Sequence, residues 1–160
     1  MATSLFGEWI RLWYIVNLFV LIPDWLYVVL RPRTFEDGDL GWLCKIFNVY
    51  AKIDTLFLDE SDKFLKFTYF LGGIDILLCL YLTISFNTQK TQASFAVLAI
   101  CRATSVCTKT LLYMIYSYDF ILPQWRLAIY LLFSPFCLFP LAVILNVSTR
   151  LTSVLKSKQV

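Results

Sequence analysis

Asp24, Asp75, Arg102 and Lys109 stand inside stretches of sequence that are otherwise apolar. A charge at membrane depth costs about 3 kcal/mol or more, so such groups pair, face the inside of a bundle or line a polar cavity. A carboxylate there can serve as acid or base, as a counter-charge to a cation, or as acceptor for a hydroxyl; a guanidinium or an ammonium can neutralise it. Arg102 and Lys109 are seven residues apart, two helical turns, and so share one helix face, with Ser105 close to that stripe and Thr108 at its edge.

The elements that must position them follow from length and hydropathy. Residues 9–30, 64–85, 93–116 and 127–147 are each about the ~20 residues that cross a ~30 Å hydrocarbon core as a helix. A hydrophobic fraction of 59% and a mean hydropathy of +0.71 exceed those of ordinary soluble domains. The sequence therefore predicts an all-α integral membrane protein, one domain over 1–160 with four transmembrane helices in a kinked bundle. A long connection at 31–63 and a basic tail at 148–160 complete it.

In the connection, Leu40, Leu43, Ile46, Phe47 and Tyr50 recur at helical spacing, which predicts a short amphipathic helix on the membrane surface. Glu36, Asp37 and Asp39 precede it, and Asp59, Glu60, Ser61 and Asp62 precede the second span, where acidic groups favour a helix N-terminus. Pro23, beside Asp24, predicts a kink or local break late in the first span, and Pro135 and Pro140 interrupt the fourth. Gly72-Gly73 in the second span permits close helix approach or leaves space for a ligand.

Several function classes fall away. The net charge of +3 is small and the basic residues are scattered, so nucleic acid is not a partner. The absence of histidine removes the commonest acid–base group and metal ligand, and neither metal nor cofactor is expected. Cys44, Cys79, Cys101, Cys107 and Cys137 include no CxxC pair and read as packing residues. The first span is too long for a cleavable signal peptide and is expected to stay as an anchor.

Counting residues along each span matches the buried charges by depth, as Asp75 with Arg102 and Asp24 with Lys109. Such pairs either fix helix register or belong to the wall of a ligand cavity, and Asp24 beside Pro23 is the foremost cavity candidate. By depth alone, Tyr113 and Tyr130 are candidate aromatic walls. If both pairs form, the cavity is electrically quiet and suits a neutral sterol or lipid better than an amine.

The count of basic residues in the loops slightly favours termini on the non-cytosolic side. Lys156 and Lys158 near the end have the spacing of a dilysine reticulum retrieval signal, which is read in the cytosol. The expected arrangement is an endoplasmic-reticulum membrane protein with both termini cytosolic, the mitochondrial inner membrane being the alternative.

Glu8-Trp9, Asp24, Tyr50-Ala51-Lys52 with Asp54, Phe64-Leu65-Lys66, Asp75 and Ser134-Pro135-Phe136 with Pro140 occur in that order along most of the chain. In this the chain resembles the EXPERA family of four-span reticulum proteins, which includes the sigma-2 receptor and the emopamil-binding proteins. The resemblance implies a kinked bundle with a hydrophobic pocket opening toward the membrane, where sterols and amphiphilic amines bind. It further implies Asp24 and Asp75 as the carboxylates facing the ligand, with Asp54 supporting them. The chain departs from the family in having no histidine, so isomerase-type proton transfer is not expected, and in placing Gly72-Gly73 where the family has a glutamate. The function expected first is non-enzymatic binding of a sterol or other hydrophobic ligand. An enzyme using Asp24 or Asp75, and an accessory subunit of a larger membrane complex, are the alternatives. Membrane lipid or sterol is the expected partner, with a homodimer or another membrane protein left open.

Overall fold

The computed structural model describes residues 5–157. Its helices are α1 (Glu8–Val29), α2 (Lys45–Ile53), α3 (Lys63–Ile84), the short α4 (Phe86–Gln89), α5 (Ala93–Tyr116), α6 (Arg126–Phe133) and α7 (Pro135–Ser157). Four helical segments, with α6 and α7 in tandem as the last, are long and apolar enough to cross a membrane. The chain is an all-α, multi-pass membrane bundle.

The spans alternate in direction, and the links tie each end together. At the end where α1 begins, Leu5 N–H donates to the Lys90 carbonyl at 3.0 Å and Lys90 pairs with Glu8 at 2.9 Å. At the opposite end the first connection meets the loop after α5, through Thr55 N–H to Phe120 O at 3.1 Å and Leu122 N–H to Ile53 O at 3.0 Å. Packing is most extensive between α1 and α3 and between α5 and α7. One apolar cluster, including Ile10, Leu82, Phe95 and Val147, fills the first end; a second, around Tyr27, Leu56, Phe57 and Leu65, closes the other. Asp24, Asp75 and Lys109 lie between the two clusters, with Arg102 at the edge of the first.

Local chemistry accounts for the boundaries. Asp62 caps α3, its Oδ1 accepting from Leu65 N–H at 2.6 Å. The surface helix starts later than the apolar spacing suggests, at Lys45, because residues 30–44 form consecutive turns. A Cβ at Gly38 or Gly41 would strike the main-chain carbonyls of Arg33 or Phe35, so the tight turns there require glycine. The connection is latched to the end of α1 by Asn48, which accepts from Tyr27 Oη at 3.0 Å and donates to Thr34 O at 3.1 Å. On α2, Phe47 stacks on Tyr27 at 5.2 Å between centroids, while Ile46 and Val49 stay exposed on the outer face.

The local break allowed for at Pro23 does not form. Helix α1 runs on past Pro23 to Val29 as one element; the division falls in the fourth span, at Ser134. Pro135 there occupies the first position of α7, where a missing N–H breaks no helical bond. The segment read as a basic tail at 148–160 is helical through Ser157. Leu151 and Val154 pack on the core, and Thr149 and Thr152 donate to the Leu145 and Ser148 carbonyls at 2.9 Å, so the polar residues do not end the helix. Of the two lysines read as a retrieval signal, Lys156 is in α7 and exposed, and Lys158 lies outside the described residues.

Candidate functional site

All four spans and the first connection meet around an internal cavity of about 280 Å³. Asp24 and Asp75 both line it, in different electrostatic settings. The Asp75 carboxylate is 3% exposed and receives two cations: Lys109 Nζ at 2.9 Å from Oδ2 and Arg102 Nε at 3.6 Å from Oδ1. Arg102 also approaches the Asp75 main-chain oxygen at 3.5 Å, and its guanidinium stands 5.3 Å from the Tyr14 ring centroid.

Asp24 is bonded differently. Its Oδ2 accepts from Tyr69 Oη at 2.9 Å, and among the described residues no cation lies within ion-pair distance of it. The expected Asp24–Lys109 pair is thus replaced by Tyr69–Asp24 and Lys109–Asp75. Lys109 Nζ passes Gly72 of α3 beside Asp75, 4.0 Å from where a Cβ would stand, an ordinary contact distance. Next to it, Gly73 seats the Trp25 indole, whose Nε1 donates to Tyr69 O at 2.9 Å; Trp25 and Tyr69 hold each other in place.

The walls are aromatic. Phe57 stands edge-on to Tyr50, Tyr69 and Tyr113 at 5.1, 6.2 and 6.1 Å between centroids. Phe133 and Phe136 close the side formed by the fourth span. Ile46 and Leu132 line the cavity yet are 83% and 59% exposed, so the mouth opens between α2 and α6.

Asp54 stands behind this wall. It is fully buried and accepts hydrogen bonds from Tyr113 Oη, from Tyr50 Oη at 3.2 Å and from Leu56 N–H at 3.3 Å. Its carboxylate thereby fixes the two tyrosine rings that face the cavity. Burial pushes the Asp54 pKa up, and these donors hold it back. A folded value above the unfolded ~3.9 means that Asp54 favours folding at acid pH and that this contribution is lost as pH rises through the folded value. Asp54→Asn is expected to flatten that part of the stability–pH curve; an unchanged curve in thermal melts between acid and neutral pH would place the dependence elsewhere.

Of the tyrosines read as walls, Tyr113 lines the cavity and Tyr130 does not. The Tyr130 hydroxyl donates to Met114 O at 3.0 Å and its ring stacks on Tyr118 at 6.5 Å, on the far side of the end of α5. Trp25, Phe57, Tyr69 and Phe133 are wall residues that the sequence did not single out, and Phe47, read there only as part of the amphipathic helix, is another. Only Tyr69 had a usable signal: it lies six residues from the start of α3 and Asp24 five from the end of α1, at the same end of the bundle.

No family model, no curated protein and no solved structure matches this chain.

The chemistry of these side chains defines what the site can do. Two carboxylates and two cations share it, with both cations at Asp75. Asp24 is left as the acceptor on the cavity wall, with Oδ1 available to a hydroxyl or an ammonium. Among the described residues no group of His, Cys, Asp or Glu side chains is placed to hold a metal ion.

Proposed function

We propose that this chain is a non-enzymatic endoplasmic-reticulum membrane protein that holds a sterol or other hydrophobic ligand in its intramembrane cavity. The observation that carries this reading is the asymmetry of the two carboxylates: Asp75 is neutralised twice, while Asp24 meets only the Tyr69 hydroxyl on the wall of an aromatic cavity. A half-buried acceptor among aromatic rings suits a flat apolar ligand carrying one hydroxyl or amine. The volume of about 280 Å³ is near the lower end for small-molecule sites, so a ring system would sit inside with its tail leaving between Ile46 and Leu132. The resemblance to the EXPERA family supports the same ligand class and the reticulum membrane.

Equilibrium titration of the detergent-purified protein with a fluorescent sterol tests this. Asp24→Asn keeps the shape but weakens the acceptor, and a loss of about tenfold in affinity is expected, equivalent to about 1.4 kcal/mol. Unchanged affinity in a folded Asp24→Asn protein would remove Asp24 from the site. A second reading, a structural subunit of a larger complex, is favoured by the two cations on Asp75, a cluster that also fixes helix register. It predicts no saturable sterol binding by the wild-type protein.

A further inference from the structure

A second concavity lies on the outer face of the α1–α3 pair. Trp25 and Tyr69 line both it and the interior cavity, and so form the partition between them. It is a groove of about 680 Å³. From Asp62 to Leu77 it follows fifteen residues of α3, about 22 Å of helix and more than the ~15 Å depth of one leaflet. Its length is walled by Val28, Val29, Phe70, Ile74 and Leu77, all apolar.

Its mouth, at the membrane-interface end, is charged with both signs. Arg31 and Lys66 face Asp59, Glu60 and Asp62 there. The Arg31 guanidinium is wedged among the rings of Tyr27, Phe35 and Phe57 at 5.3, 5.4 and 5.5 Å. Among the described residues its Nε and Nη2 are buried without an acceptor, and no carboxylate comes within ion-pair distance. Asp62 is already engaged by Leu65 N–H and by Tyr116 Oη at 2.6 Å each, and Asp59 by Ser61 at 2.7 Å. Glu60 is exposed and accepts no hydrogen bond among the described residues.

We propose that this groove binds one zwitterionic glycerophospholipid, with its phosphate against Arg31 and Lys66, its ammonium against Glu60 and Asp59, and an acyl chain laid along α3. A guanidinium without an ion-pair partner, two residues past the end of a spanning helix, attracts an anion. Three carboxylates beside two cations disfavour a headgroup that is anionic without an amine. A protein helix or a second copy of the chain would leave Arg31 unmatched unless it brought its own acid to that point. The site is independent of the sterol reading of the interior.

Native mass spectrometry of the full chain tests this, with 1-palmitoyl-2-oleoyl phosphatidylcholine and the corresponding phosphatidylglycerol as probes. One phosphatidylcholine retained by a monomer is expected, with retention about tenfold weaker in Arg31→Met. Ile74→Trp, which fills the groove from its lipid-facing wall, is expected to lower retention without touching a charge. Glu60→Gln, at an exposed position, is expected to reduce the preference for phosphatidylcholine over phosphatidylglycerol, and keeps the test open if Arg31→Met does not fold. Equal retention in wild type, Arg31→Met and Ile74→Trp would overturn the proposal. So would a preference for phosphatidylglycerol, or a dimer without bound lipid.

Discussion

Asp75→Ala is expected to destabilise the bundle by about 3–5 kcal/mol, because it leaves two cations without their counter-ion in the membrane interior. Arg102 is 2% exposed and cannot turn outward; its charge would remain beside the Tyr14 ring. Lys109 is 17% exposed and its flexible stem can move the ammonium, so it contributes the smaller part of the loss. Adding Arg102→Met to Asp75→Ala is expected to restore part of the stability, and adding Lys109→Met as well to restore more. Arg102→Met alone costs less than Asp75→Ala, since Lys109 still pairs with Asp75. Reversible denaturation in mixed micelles measures all four proteins. Absence of rescue would show that Asp75 contributes through something other than these two cations.

The opposite sign is expected at Asn17. It is fully buried on α1, and among the described residues neither its Nδ2 nor its Oδ1 has a hydrogen-bond partner. It lies nine residues from the start of α1, as Arg102 lies nine from the start of α5 and Asp75 nine from the end of α3, so the three share one depth, about 13 Å in. A buried amide without partners costs about 1–3 kcal/mol, so Asn17→Leu, which keeps the size and removes the polarity, is expected to stabilise by about 1–2 kcal/mol. The Tyr14 hydroxyl and Arg102 Nη2 are likewise buried without partners. Destabilisation by Asn17→Leu would mean that these groups bond one another in the membrane.

The spans were legible because apolar runs of membrane length leave little choice of structure: the starts of α1, α3 and α5 fall within about one residue of the hydropathy boundaries. Depth along the spans matches Asp75 with Arg102, and the structure holds them 3.6 Å apart. It misassigned Lys109, because counting places a side chain at its own Cα, whereas the lysine's flexible stem carries its ammonium to within 2.9 Å of Asp75 Oδ2. It misassigned Tyr130 for a related reason. Depth fixes height along the bundle but not direction around the helix, and that direction is set here by Met114 and Tyr118. The aromatic wall from the first connection was out of reach, since Phe57 and Tyr50 are delivered by the Asn48–Tyr27 latch and the Asp54–Tyr113 bond, both between residues distant in sequence.

Photolabelling with a diazirine-bearing sterol, followed by sequencing of the labelled peptides, is the most direct test that the interior holds the ligand. Saturable labels on Phe47, Tyr50, Phe133 or Phe136 are expected, and Gly72→Leu, which projects into the cavity from α3 while meeting Trp25 no closer than 3.4 Å at its Cβ, is expected to abolish them. Labels confined to lipid-facing residues such as Phe19 and Leu138, unchanged by Gly72→Leu, would contradict an interior ligand site.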